Sequence, residues 1–145
     1  MIHTLGTSNS IFNQFIGEIR DEKIQKDSMR FRRNMERMGE IMAYEISKNL
    51  AYKPSDITTS LGVAKVSQLV EQPVVASVLR AGLPVHIGVL NYFDRAENAF
   101  ISAYRHHHKD GSFDIKVEYL ACPDLNNKIL ILCDPMLATG QSMAL

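Results

Sequence analysis

The sequence predicts an α/β fold in which a parallel sheet is flanked by helices and preceded by N-terminal helices and a β-hairpin. Three short runs, "PVVASVL" (73–79), "NAFISAY" (98–104) and "KILILC" (128–133), are mostly apolar without clean alternation, as in strands covered on both faces. "LPVHIGVLNYF" (83–93) lies between the first two and reads as a helix with Pro84 in its first turn, where a missing N–H does least harm. Strand, helix, strand and strand again is the order of a parallel α/β sheet. With 145 residues the chain suffices for one core, so a single domain is expected over 1–145.

The elements ahead of the sheet follow from spacing. In "NSIFNQFIGEIRD" (9–21), Ile11, Phe12, Phe15, Ile16 and Ile19 share one helical stripe, and Asn9 or Ser10 can cap it. In "DSMRFRRNMERMGEIMAYEISKNL" (27–50), Phe31, Met35, Met38, Met42 and Ile46 step by three or four. Asp27 or Ser28 caps that helix, and Pro54 lies beyond its end. Its Arg32 and Arg33 are either an anion site or, the simpler reading, part of a solvated face paired with Glu36 and Glu40 across one turn. "DITTSLGVAKVSQL" (56–69) reads as a hairpin turning at Leu61-Gly62. The helical region is expected over about 8–52 and the α/β core over about 73–145.

Composition narrows the function. Sixteen basic residues balance sixteen acidic ones, so no global field draws the chain to nucleic acid or a membrane. The sequence shows neither a long apolar run nor a charged-then-apolar start, which points to a cytoplasmic protein. Cys122 and Cys133 lack metal-ligand spacing and read as reduced, buried small hydrophobes.

Ligands of open parallel sheets bind beyond the carboxyl ends of the strands, so the residues after each run matter most. These are Arg80-Ala81-Gly82, Arg105, and Asp134 followed by residues 135–142. Two guanidiniums can fork onto phosphate oxygens. Ala81 and Gly82 leave backbone N–H groups bare enough to approach an anion. Ala138, Thr139, Gly140, Gln141 and Ser142 form a small-residue loop whose amides, at the start of a following helix, face an anion as well. Asp134 suits ribose hydroxyls, or magnesium through water. Phosphates at two points with sugar hydroxyls between them describe a phosphorylated sugar. The Walker pattern of nucleotide triphosphatases is absent, because no Gly-Lys-Ser/Thr occurs.

"VLRAGLP", "AYR" and "DPMLATGQS" together resemble the uracil phosphoribosyltransferases, a branch of the type I phosphoribosyltransferases. The resemblance runs from "RFRRNMERMGE" to the last residue. It implies transfer of a phosphoribosyl group from 5-phosphoribosyl pyrophosphate (PRPP) to uracil, giving uridine monophosphate (UMP) and diphosphate. By position, Arg80 and the Ala81-Gly82 amides would hold the diphosphate, with Arg105 meeting PRPP from the neighbouring strand end. Asp134 would take the ribose hydroxyls, and Ala138, Thr139, Gly140, Gln141 and Ser142 would cradle the 5′-phosphate. Mg²⁺ would be bound mainly through PRPP and water, with no direct protein ligand. The transition state carries positive charge at the anomeric carbon and needs no nucleophilic side chain.

The chain departs from the family pattern at Gln141, where glycine is usual, and at "HHHK" (106–109), where acidic residues commonly follow the Tyr-Arg pair. Three consecutive histidines invite a metal reading, but neighbours point in different directions, and a solvated flap is expected. His86 is expected in the core or an interface. Relatives acting on purines usually carry two acidic residues where Asp134-Pro135 stands, which disfavours a purine enzyme. Charge balance likewise disfavours an RNA-binding regulator on the same fold. In the family the chain continues beyond the phosphate loop, so uracil contacts are expected beyond Leu145 and the sequence reads as incomplete at its C-terminus. The "KILILC" edge and the methionines of "MERMGEIM" (35–42) suggest a homodimer or higher homo-oligomer.

Overall fold

The computed structural model of the chain describes residues 2–107, 113–136 and 140; for 103–107 and 113–116 it describes the backbone alone. A short 3₁₀ turn at Leu5–Thr7 leads into α1 (Ile11–Arg20), which Ser10 caps by accepting the Phe12 N–H. A second such turn (Ile24–Lys26) precedes α2 (Ser28–Ser47). Asp27 caps α2 by accepting the N–H groups of Met29 and Arg30, so of the two candidate caps the carboxylate is the one used. An antiparallel hairpin follows, β1 (Tyr52–Thr59) and β2 (Gly62–Leu69), starting earlier than its β-branched residues suggested.

The main sheet contains β3 (Val74–Leu79), β4 (Glu97–His107), β5 (Phe113–Ala121) and β6 (Leu130–Cys133), in the order β5-β4-β3-β6. Helix α3 (Leu83–Leu90) connects β3 to β4. β3 is parallel to both β4 and β6, whereas β5 runs antiparallel along β4. The sheet is therefore mixed, and β5 is an element the apolar-run reading passed over. Its residues do carry a signal: Phe113, Ile115, Val117 and Tyr119 alternate with Asp114, Lys116 and Glu118. That alternation is the sequence signal of an antiparallel strand, in contrast to the continuous runs of the parallel strands, although Val117, Tyr119 and Leu120 stand exposed here.

One face of the sheet carries the principal core. Val75, Ile131 and Cys133 pack with Met35, Met38 and Ala43 of α2, Val85 and Val89 of α3, and Phe12 of α1. The opposite face holds a smaller cluster of Val74, Ala76 and Ala99 with Leu132 against it. β3 is buried from Val74 through Val78, as expected for a central strand, while β4 and β6 are only partly covered.

The helical layer is set by two glycines. A Cβ on Gly39 of α2 would collide with the Val85 carbonyl, and one on Gly88 of α3 would collide with the Glu36 carbonyl. The backbones of α2 and α3 approach too closely for any side chain at either point. Met35 and Met38 are spent in this core, so they offer no surface to a partner, contrary to the expectation from composition. Arg33 pairs with Glu36 at 2.6 Å on a half-exposed face, as the simpler reading had it. Cys122 corrects another expectation: it is exposed, and only Cys133 is buried, though both are free.

Candidate functional site

The strand order fixes where a crevice opens. From β3 the chain moves through α3 to β4 on one side, then returns through β5 to place β6 on the other side. The connections thus diverge at the carboxyl ends of β3 and β6, the switch point at which ligands of such sheets bind. Leu79 ends β3, and Arg80-Ala81-Gly82 form the turn into α3. Asp134 directly follows β6.

The turn and the end of β6 touch. Gly82 lies so close to the Cys133 carbonyl that a Cβ would collide with it, and the same Cβ would stand 2.7 Å from Ser77 Oγ and 2.8 Å from the Val78 carbonyl. Any side chain at 82 would push the turn away from β6. This gives Gly82 a packing reason to be glycine, and it corrects the expectation of a bare amide there. Gly82 is buried and its N–H donates to the Val78 carbonyl at 3.0 Å. The Ala81 N–H has no backbone acceptor among the described residues, and Ala81 and Arg80 are both exposed. Arg80 makes no ion pair among the described residues, so its guanidinium has no carboxylate to displace on meeting an anion.

Asp134 is half-buried, and its Oδ1 accepts the Met136 N–H at 3.4 Å, a local turn that holds the carboxylate at the strand end. Arg105 differs from expectation in one respect. It lies within β4, which runs on to His107, and pairs in register with Ile115. The last parallel pair of β3 and β4 is Leu79 with Ser102, so Arg105 is three positions past the carboxyl edge of the parallel sheet, on the part of β4 that pairs with β5. Gly140 has φ +76°, a left-handed conformation that favours glycine. Ala138, Thr139, Gln141 and Ser142 lie outside the described residues, as do the last two residues of "HHHK", His108 and Lys109.

Beneath the turn, His86 is 3% exposed, with its ring 5.1 Å from that of Phe100. It is a core residue, one of the two placements expected. Burial pushes it below the usual histidine value, while contacts with the Val75 backbone and the Asn98 side chain pull the other way. Burial likewise raises the Cys133 thiol to about 11, which leaves it protonated and unreactive. The residue that spacing missed is Ser77. It is the one polar side chain of β3, it is fully buried, and its hydroxyl has no partner among the described residues.

A cavity of about 1020 Å³ opens elsewhere, between residues 3–7 and α2, over Phe12, Ile16, Met38 and Met42. It shares no residue with the strand ends, and its charged lining, Arg20 and Lys48 with Glu45, is of mixed sign, so the crevice at β3 and β6 is taken as the candidate site.

The family model for uracil phosphoribosyltransferase matches residues 7–145. A uracil phosphoribosyltransferase of Porphyromonas gingivalis is 54% identical over 145 residues, spanning all of this chain and 67% of that protein. One from Methanothermobacter thermautotrophicus is 37% identical over 119 residues, covering 81% of this chain and 54% of that protein. The solved structure of the AQ2163 protein from Aquifex aeolicus superposes with a TM-score of 0.83 at 26% identity, over 99% of this chain and 66% of that one. The chain thus spans between about half and two thirds of the length of these relatives.

Proposed function

The chain belongs to the uracil phosphoribosyltransferase family, and from that premise we propose that it transfers the phosphoribosyl group of PRPP to uracil, giving UMP and diphosphate. The observation that supports the reading is the junction of the Arg80-Ala81-Gly82 turn with the end of β6, which brings the turn that carries the exposed Arg80 and the strand end that carries the half-buried Asp134 together at the switch point of the sheet.

In this reading the diphosphate lies over the turn, where Arg80 and the Ala81 N–H meet its oxygens. In the free chain the Gly82 N–H is taken by the Val78 carbonyl, so Gly82 contributes closeness and leaves donation to phosphate to its neighbours. Asp134 accepts from the ribose hydroxyls and holds the sugar in place between its two phosphates. Residues 138–142 take the 5′-phosphate, and Arg105 reaches PRPP from β4. As the bond from the anomeric carbon to diphosphate lengthens, negative charge grows on the leaving group, and Arg80 stabilises it more than it did the ground state. The electron pair leaves with diphosphate, and a uracil ring nitrogen bonds to the anomeric carbon while its proton passes to solvent or to the departing diphosphate. No side chain need become covalently attached.

A single carboxylate fits a magnesium ion that takes most of its oxygens from PRPP and water, with Asp134 touching it through water. When bound, the ion neutralises diphosphate charge. The finer assignments follow from the same reading: salvage of free uracil, a cytoplasmic location and a homodimer or higher homo-oligomer. Two free cysteines support a reducing compartment. No helix among the described residues is long and apolar enough to cross a membrane.

The test is an assay of UMP formation from labelled uracil, PRPP and Mg²⁺, with adenine, guanine and hypoxanthine as competitors. The reading expects UMP to form and purines to compete poorly. Turnover of a purine in place of uracil would overturn the base assignment.

A further inference from the structure

We propose that Ser77 is a positioning residue for the diphosphate turn, its hydroxyl serving as the hydrogen-bond partner that the turn uses when it closes on PRPP. The proposal rests on the reading of that turn given above. Ser77 is the only polar side chain in β3, between Ala76 and Val78 in the most buried strand of the sheet. Its register partners are Phe100 and Cys133, which offer it no strong hydrogen-bonding side chain. Its Oγ is completely buried and has no partner among the described residues. A buried hydroxyl without a partner is costly, and alanine would fill the same place without that cost.

The position of the hydroxyl says what it is for. A Cβ on Gly82 would stand 2.7 Å from Ser77 Oγ, so the hydroxyl lies directly against the residue that ends the turn and opens α3. The Cys133 carbonyl abuts the same point, and Asp134 follows it. Ser77 therefore sits under both halves of the site. A hydroxyl can accept an N–H and donate to a carbonyl at once. When Arg80 and Ala81 turn toward diphosphate, the Gly82 N–H is drawn off the Val78 carbonyl, and Ser77 Oγ is the acceptor in place to receive it. Its own hydrogen then goes to a carbonyl of the turn or of β6. The polar atom unsatisfied in the free protein becomes satisfied in the complex, which favours the closed turn.

The experiment compares wild type with Ser77→Ala and Ser77→Cys by calorimetric titration with PRPP and Mg²⁺, inorganic diphosphate, and ribose 5-phosphate. Melting temperatures are recorded without ligand. The expected result is a loss of about three- to tenfold in affinity for PRPP and diphosphate, the equivalent of one neutral hydrogen bond. Ribose 5-phosphate should bind as in wild type, and the Ser77→Ala melting temperature should hold or rise. Ser77→Cys keeps the shape of the side chain, slightly enlarged, with a poor hydrogen-bonding group, so it should lose affinity in the same way even if Ser77→Ala fails to fold. Unchanged diphosphate affinity in a folded variant would overturn the proposal, as would an equal loss for all three ligands, the mark of a loosened fold. A wild-type chain that binds neither PRPP nor diphosphate would overturn the reading of the turn itself, and this proposal with it.

Discussion

At the residue scale, Asp134 and His86 show how position decides what a polar group is for. Asp134 is half-buried at a strand end and, among the described residues, holds only a local turn, which leaves its charge available to a ligand. Asp134→Asn is predicted to lower turnover while leaving the melting temperature within a degree or two. A large fall in melting temperature with normal activity in the folded fraction would make Asp134 structural. His86 is buried on α3 and resists protonation, chiefly through loss of water. The unfolded chain takes up a proton near pH 6.5 that the folded chain refuses, so the His86 contribution is complete above that pH. It is lost as pH falls from there toward the depressed folded value. His86→Gln should flatten the fall in stability between roughly pH 7.5 and 5.5, measured by urea denaturation. An unchanged slope would show that the ring titrates as if exposed. The two cysteines should separate as well: an alkylating agent at pH 8 should label Cys122 in the folded protein and spare Cys133, read by mass spectrometry.

At the element scale, the helices follow from the sequence because each rests on a local pattern. Ser10, Asp27 and Pro84 occupy helix starts, and the stripe of Met35 and Met38 faces the sheet. What spacing hides is the closeness of α2 and α3, since a glycine in a helix looks like a mild flaw until its neighbour is known. Gly17 and Gly39 give opposite predictions on that account. A Cβ on Gly17 meets nothing within 4 Å, so Gly17→Ala should stabilise by about 0.5–1 kcal/mol through helix propensity. A Cβ on Gly39 meets the Val85 backbone, so Gly39→Ala should cost about 1–3 kcal/mol through overpacking. Denaturation curves giving both the same sign would remove the close approach from the account. Arg105 was legible as a candidate but its place was not. Its strand runs past the parallel sheet because β5 supports it, and pairing with a distant segment leaves no mark in "AYR" itself. Ser77 went unseen because one serine in an apolar run carries no periodic signal.

At the scale of the whole molecule, stability is unevenly spread. The β1–β2 hairpin is exposed along most of its length, with Leu61 at 98% and Val63 at 69%, and only Leu69 at its base packs on the main core. A two-stranded hairpin is marginal by itself in water. Backbone amides of residues 52–66 should therefore exchange by local opening, while those of β3 exchange only on global unfolding. Equal protection in both would show that the hairpin is braced by an assembly. The sheet brings the turn after β3 and the carboxylate after β6 to a common edge, and the proposed function rests on that junction. The most direct test of that claim is a calorimetric titration of PRPP with Mg²⁺ into wild type and Arg80→Ala. The account predicts one site per chain in wild type and an affinity weakened by about 1.5–3 kcal/mol in Arg80→Ala, with the melting temperature unchanged. Equal PRPP affinity in the two proteins would contradict it.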